Sequence, residues 1–451
     1  MKKKFLLDTN ILMRSPQAIY VFEDNDVLIC NTTLEELDDL KTRPGETGYS
    51  AREAIRVLND LRENSENKNL YDGVRLPGSG VLKIVRDCLP EEAKDKIGTL
   101  PEEWSLSKPD NRIIDTAIKN EAILVTNDIS MLLKAESAGI KTENFKNEQV
   151  SDESLKYTGR KQIWVSSDVL NELYKEGSVD ADKLENRNEL CTNEFLTLFD
   201  SSNISHTGIG YYDGQKIKKL EYSNSYPSDI RPKNVGQTFA IEALMKPAEE
   251  VPLVILKGSA GTAKTFLSIA CGLDQVMDRR NYKKVLLLRP NIKFDEDIGY
   301  LKGDEMDKIL PLIRPCLDNL EALVSSREDS TAETHDKVQE LFDRGYVTAE
   351  ALAYLRGRSI SDTYIIIDEA QNTTPNQMLG IITRAGIRSK IVIVGDPDQI
   401  DNPKVDRKNN GLVYAAEKMK GSPLCMQLTF EDEECVRSPL ALEASQLLKN
   451  S

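Results

Sequence analysis

Histidine is almost missing from this chain: His206 and His335 are the two in 451 residues. Imidazole metal centres and histidine general bases lose their usual groups, so a catalytic metal would have to sit on carboxylate oxygens. Cysteine is scattered, at positions 30, 88, 191, 271, 316, 425 and 435, odd in number and never in a C-x-x-C pair. That argues against a disulfide framework and against a thiolate zinc site. Nothing approaches the ~20 apolar residues of a membrane span. The opening "MKKKFLLDTNILMRSP" follows its charges with a very short apolar stretch, unlike a secretory leader. A cytoplasmic protein without a membrane partner is the expectation. Internal repeats and low-complexity tracts are missing as well. Positive charge is in deficit, with a net charge of −15. Nucleic-acid binding needs only a local positive field, however, and short clusters such as "MDRRNYKK" and "LAYLRGRS" keep that partner open.

What is present reads as an α/β protein of three parts, because the length exceeds what one hydrophobic core usually covers. In residues 1–147, "KFLLD", "DVLIC" and "EAILVTND" read as strands; "TLEELDDLK", "SAREAIRVLNDLRE" and "ISMLLKAESAG" read as helices. Such alternation predicts a parallel sheet with helices on its faces. Residues 148–230 are richer in aromatics, glycines and turn signals and read as a small β-containing connector. Its Trp164, Tyr211 and Tyr212 suit core packing, with RNA stacking as the sharper alternative. From 231 to 451 the alternation resumes. "VPLVILKG", "KKVLLLRP", "TYIIIDEA" and "SKIVIVGD" are apolar enough to be strands buried on both faces. "SSREDSTAETHDK" reads as an exposed loop or helix end.

Ligands of open parallel sheets collect beyond the carboxyl ends of the strands. Those four runs end in "GSAGTAKT", "RPN", "DEAQN" and "GDPDQ". The first nearly matches the phosphate-binding pattern G-x-x-x-x-G-K-[ST], in which backbone N–H groups close around phosphates, the lysine reaches the β/γ oxygens and the hydroxyl binds Mg²⁺. Gly258, Ser259, Ala260, Gly261, Thr262, Ala263, Lys264 and Thr265 form this loop, with Ala263 where a glycine is usual. If Ala263 must be left-handed, the methyl costs on the order of 1 kcal/mol, far short of abolishing nucleotide binding. Asp368 can hold Mg²⁺ with Thr265, Glu369 can polarise the attacking water, and Gln399 can sense the γ-phosphate. The bland alternative for Asp368 and Glu369 is a strand end feeding a helix cap. Four complementary ends in order weigh against it.

The N-terminal part offers carboxylates at strand ends and nearby: Asp8 in "FLLDTNIL", Glu35 and Glu36, Asp110 and Asp115 in "KPDNRIID", and Asp128 in "LVTNDIS". Carboxylates gathered at one sheet edge can share Mg²⁺ or Mn²⁺ and hydrolyse a phosphodiester without histidine. Singly, Asp110 and Asp128 read as helix caps and Glu36 as a solvated face. Thr126 and Asn127 can orient the site, with Asp115 behind it.

Two resemblances sharpen these readings. "NVGQTFAIEAL", the phosphate loop, "LLLRPNIKFDEDIGYLKGD", "ALAYLRGRSISDTYIIIDEAQNTTPNQM", "ITRAG", "IVIVGDPDQID" and "FEDEECVRS" resemble, in order, the PhoH-like ATPases. These are similar to the first core domain of superfamily 1 helicases and imply a RecA-like P-loop NTPase fold. The resemblance implies ATP as the nucleotide, Gln237 at the adenine and Arg437 as a phosphate-side or coupling arginine. The roughly 220 residues here suffice for one such core. A transition-state arginine must then come from within the domain or from a neighbouring subunit. Arg356, Arg358 and Arg384 are candidates, and a ring-forming homo-oligomer, a hexamer as in the family, is expected. Residues 4 to about 145 resemble the PIN-domain nucleases, whose fold is a parallel-sheet sandwich. Their pattern of acidic residues is filled by Asp8, Glu36, Asp110 and Asp128; the leucine after Glu36 favours it over Glu35. Together the resemblances imply an ATPase that moves or unwinds RNA, single-stranded or with a single-stranded tail, joined to a metal-dependent ribonuclease. The rivals are an ATP-driven RNA-binding or remodelling module with an inactive nuclease domain, and a small-molecule phosphotransferase.

Overall fold

The computed structural model describes residues 2–22, 24–43, 45–65, 68–77, 79–87, 104–145, 157–184, 187–290, 305–325, 330–352, 359–403 and 405–436. They fall into two compact units, one within Met1–Glu148 and one comprising Gln149–Lys293 and Tyr300–Ser451.

The first unit is built on β1 (Lys4–Leu7), β2 (Asp26–Cys30), β3 (Val74–Arg75), β4 (Val81–Val85), β5 (Ile123–Val125) and β6 (Thr142–Glu143), in the order β3-β4-β2-β1-β5-β6. All neighbours are parallel except β3 and β4. Successive side chains of a strand point to opposite faces, and β1 shows the result. Phe5 and Leu7 join Ile11, Leu37 and Ala54 of α1 (Thr9–Arg14), α2 (Asn31–Lys41) and α3 (Gly45–Glu63) in one core. Leu6 instead joins Ile113, Ile114, Met131 and Ala135 of α4 (Pro109–Lys119) and α5 (Ile129–Ser137) in a second core. The sheet is therefore a layer between two layers of helix, as its apolar strand sequences require.

In the second unit, β7 (Arg160–Val165), β8 (Ser178–Asp180), β9 (Glu194–Asp200), β10 (Thr207–Tyr212) and β11 (Lys216–Lys219) make a five-stranded sheet, order β7-β9-β10-β11-β8. The pair β7–β9 is parallel and the rest are antiparallel. One face is covered by α6 (Ser167–Glu176), whose Val169, Leu170 and Leu173 pack on Ile163, Leu196 and Leu198. The helix stops at Gly177, whose φ of 75° is the left-handed cap that glycine adopts without penalty. The opposite face sends Phe195 and Tyr211 into the core of the following sheet, where Phe195 stacks on Phe239 at 4.7 Å.

That following sheet contains β12 (Leu253–Lys257), β13 (Lys284–Arg289), β14 (Val347–Ala351), β15 (Thr363–Ile367), β16 (Lys390–Gly395) and β17 (Cys425–Thr429). Its order is β14-β13-β15-β16-β12-β17 and every pairing is parallel. Alternation again divides the side chains: Val254, Leu256, Tyr364 and Ile366 enter one core, and Leu253, Ile255, Ile365 and Ile367 the other. The helices are α7 (Val235–Met245), α8 (Lys264–Leu273), α9 (Glu305–Val324), α10 (Thr331–Asp343), α11 (Pro375–Ile382) and α12 (Gly411–Lys418). Ser330 and Glu333 form a capping box at the start of α10, so the described end of "SSREDSTAETHDK" is a helix. Among the described residues no helix is long and apolar enough to cross a membrane.

Candidate functional sites

Because the strands of the six-stranded sheet run the same way, the loops after β12, β15 and β16 meet at one edge. Beyond Lys257 the chain turns at Gly258 (φ 147°) and Gly261 (φ 91°) and enters α8. Ala263 is the residue before that helix and is left-handed, φ 67° and ψ 22°. At that position alanine carries a strain on the order of 1 kcal/mol. Its methyl group packs against the core beneath the loop, which offsets part of that strain.

Lys264 is buried and bends over its own loop, its Nζ donating to the carbonyls of Gly258 (2.7 Å) and Ser259 (2.8 Å) and to Thr262 Oγ1 (3.2 Å). The Thr265 hydroxyl donates to Asp368 Oδ1 at 2.8 Å. Next to Asp368, Glu369 is left-handed (φ 53°), and both its carboxylate oxygens are engaged: Arg289 Nη2 lies 3.1 Å from Oε1, and Gln371 Nε2 donates to Oε2 at 2.5 Å. Gln371 also donates to the carbonyl of Gln399 at 2.8 Å, joining the two loops. A cavity of about 370 Å³ is lined by Lys264, Thr265, Asp368, Glu369 and Gln399 among others. A helix N-terminus, an ammonium and a hydroxyl–carboxylate pair on one cavity suit a polyphosphate carrying a hard divalent cation.

Arg289 and Gln371 were not singled out in the sequence. The signal was there, since "KKVLLLRP" is an apolar run that ends in a cation at the same sheet edge, and Gln371 lies inside "DEAQN". Gln237 is buried in the first turn of α7, its Oε1 accepting from Lys233 N at 2.8 Å, and it is not among the residues lining the cavity. Arg384 lies just after α11, half-buried, its carbonyl accepting from Ile360 N. Arg356, Arg358 and Arg437 lie outside the described residues.

In the first unit, Asp8 follows β1 directly and is buried, its Oδ2 accepting from Thr126 Oγ1 at 2.7 Å. Asn10 Nδ2 donates to the same Thr126 hydroxyl at 3.1 Å, while Asn10 Oδ1 accepts from Asn127 N at 3.4 Å. The Thr9 hydroxyl donates to Glu36. Glu35, by contrast, faces Arg112 at 3.8 Å, so it is Glu36 that stands beside Asp8. Burial pushes the Asp8 carboxyl up to about 6; hydrogen bonds from Thr126 and the Thr9 amide oppose the shift, and the charges of Glu36 and Asp110 add to it. Glu36 is also raised, first by burial and then by Asp110. Asp8, Glu36 and Asp110 thus form one mutually repelling acidic group, the chemistry that oxygen-seeking divalent cations relieve. Among the described residues, though, no three such side chains already stand close enough together to hold a metal ion. Asp128 caps α5, its Oδ1 accepting from Ser130 N and Met131 N. Asp115 is buried and paired with Lys119. In the connector Tyr211 and Tyr212 are buried, whereas Trp164 is 60% exposed and lies 5.3 Å from the Phe199 ring.

Comparison with known proteins agrees with this division of chemistry. The family described as PhoH-like protein matches residues 229–449, and a PIN domain matches residues 5–146. Protein PhoH2 of Bacillus subtilis (strain 168) is 36% identical over 99% of this chain and 100% of its own length. Protein PhoH2 of Thermobispora bispora is 30% identical over 99% of this chain and 97% of its own. A solved domain of a functionally unknown Methanocaldococcus jannaschii protein covers 33% of this chain and 95% of its own at 17% identity, with a TM-score of 0.23.

Proposed function

Because the chain belongs to the PhoH2 family, with a PIN domain and a PhoH-like P-loop domain in one polypeptide, we propose that it is an ATP-driven RNA translocase or helicase coupled to a metal-dependent ribonuclease. The observation that carries this reading is the convergence of Lys264, Thr265, Asp368 and Glu369 on one cavity at the edge of an all-parallel sheet. Residues 231–451 act as the motor, 1–147 as the nuclease and 148–230 as the connector between them. Lys264 exchanges its loop carbonyls for the β/γ-phosphate oxygens of ATP. Thr265 and Asp368 hold Mg²⁺, and Glu369, kept in place by Arg289 and Gln371, orients the attacking water. Gln399 senses the γ-phosphate, Gln237 acts at the adenine and Arg437 on the phosphate side. Arg356, Arg358 or Arg384, from within the domain or from a neighbouring subunit, completes the site, and the protein works in the cytoplasm as a ring, a hexamer as in the family.

At the nuclease site Asp8, Glu36 and Asp110, with Asp128 turned inward from its cap, would hold Mg²⁺ or Mn²⁺. When bound there, the cation would supply an activated water and offset the charge developing on the leaving oxygen of the phosphodiester. Thr126 and Thr9 keep Asp8 and Glu36 oriented. Single-stranded RNA drawn by ATP turnover is delivered to these carboxylates. The capping role of Asp128 favours one rival specifically, an RNA remodelling module whose nuclease domain is inactive. A labelled RNA with a hairpin and a single-stranded tail separates them, assayed in Mg²⁺ and Mn²⁺ with and without ATP. Cleavage that ATP extends into the hairpin is the expected result. No cleavage in either metal alongside RNA-stimulated ATP hydrolysis would leave the remodelling module. ATP turnover indifferent to RNA would point to a phosphotransferase.

A further inference from the structure

We propose that Arg160, on the first strand of the connector sheet, is a positioning residue of the nucleotide site; the inference rests on the reading of residues 258–265 as that site. The outer wall of the phosphate loop is the segment after β17. Phe430 N donates to Lys257 O at 2.8 Å, Val436 N to Gly261 O at 2.9 Å and Cys435 Sγ to Ala260 O at 3.5 Å. The approach is close: a Cβ at Gly258 would meet the Phe430 Cβ at 3.0 Å. Residues 430–436 therefore set the position of the loop backbone that is to cradle phosphates.

That segment has little order of its own, a single short turn at Asp432–Glu434. What holds it is Glu434, which is 8% exposed. Arg160 Nη1 donates to both of its carboxylate oxygens at 2.9 Å, and Arg160 also pairs with Glu431 at 2.5 Å. Gly236 N donates to Glu434 Oε1 at 2.8 Å and Glu431 N to Oε2 at 3.0 Å. At Gly236 a Cβ would stand 2.4 Å from Oε2, so any larger residue at the start of α7 would push the Glu434 carboxylate aside. The cation for two carboxylates beside the loop is thus contributed by the connector, across 274 residues of sequence. Charge-assisted bonds with little access to water are among the stronger ones available. Remove the guanidinium and the buried Glu434 charge must turn towards water, drawing residues 431–436 away from Gly261 and Ala260.

The test is steady-state ATP hydrolysis and competition binding with a fluorescent ATP analogue, on full-length protein. Wild type is compared with Arg160→Gln, Arg160→Lys and Gly236→Ala. Arg160→Gln should raise KM for ATP about tenfold, the equivalent of about 1.4 kcal/mol, with kcat held within about threefold. Arg160→Lys keeps the charge but not the two-pronged geometry, so it should fall between wild type and glutamine. Gly236→Ala displaces Glu434 while leaving the arginine intact and should give the same signature. A merely structural role lowers the fraction of folded enzyme, which reduces kcat and leaves KM alone; that pattern overturns the proposal. So does a KM within about twofold of wild type in all three variants, where about 0.4 kcal/mol would be at stake. A wild-type protein that binds no ATP sinks the nucleotide-site reading itself and this inference with it.

Discussion

Asp8→Asn in metal-free protein is the perturbation with the most direct physical consequence. Burial raises the Asp8 carboxyl from 3.8 to about 6. At about 1.4 kcal/mol per pKa unit, that interval corresponds to about 3 kcal/mol. The sign follows from proton binding. Below pH 3.8 the folded and unfolded chains both keep the proton, and Asp8 adds no pH dependence. Between 3.8 and about 6 the unfolded chain has released the proton while the fold still holds it, so stability falls as pH rises. Above 6 the loss is complete. Asparagine carries no charge and retains an oxygen that can accept the Thr126 hydroxyl. In EDTA at pH 7.5 the variant should therefore unfold at higher urea than wild type, by up to about 3 kcal/mol, and the gap should close near pH 4. Urea titration of the full-length chain, read by hydrogen exchange of peptides spanning β1 and β5, measures this locally. Adding Mn²⁺ should stabilise the wild type and not the variant. A variant no more stable than wild type at pH 7.5, or an equal gain at pH 4, would refute the reasoning.

Other expectations concern the second unit. Glu369→Gln should bind ATP within about threefold of wild type but turn over at least about a hundredfold more slowly; retained turnover in a coupled phosphate assay would remove Glu369 from its role. Ala263→Gly relieves on the order of 1 kcal/mol of left-handed strain but loses methyl packing and loosens the unfolded chain. KM for ATP should then move less than about threefold, and a tenfold change would show that the methyl group acts on the phosphates directly. Lys390 is fully buried and its Nζ donates to the carbonyls of Ala243, Lys246 and Val251. Lys390→Met leaves all three without that donor and should cost at least about 3 kcal/mol in urea unfolding; a loss under about 1 kcal/mol would mean that those carbonyls find other partners.

Much of the architecture is visible in local patterning. The apolar runs "VPLVILKG", "TYIIIDEA" and "SKIVIVGD" are β12, β15 and β16, and their polar ends are the loops that line the cavity beside Lys264. Their meeting follows from parallel order alone, because every strand presents the same end to one edge. Asp8 at the end of "KFLLD" is legible for the same reason. Three features were out of reach of such reasoning. Glu35 and Glu36 are adjacent on one helix, and whether Arg112 or Thr9 faces each depends on how that helix rolls against the sheet. Ala263 is left-handed because its loop is tied to Gly395, Phe430 and Val436 from outside, a constraint strong enough to override the preference of its own residue type. Arg160 meets Glu434 across most of the second unit, and nothing in the spacing of residues along a chain encodes such a pair. Periodicity records which side of an element is apolar, whereas these contacts depend on which buried surfaces lie against each other, and that choice is made by packing among residues far apart in sequence.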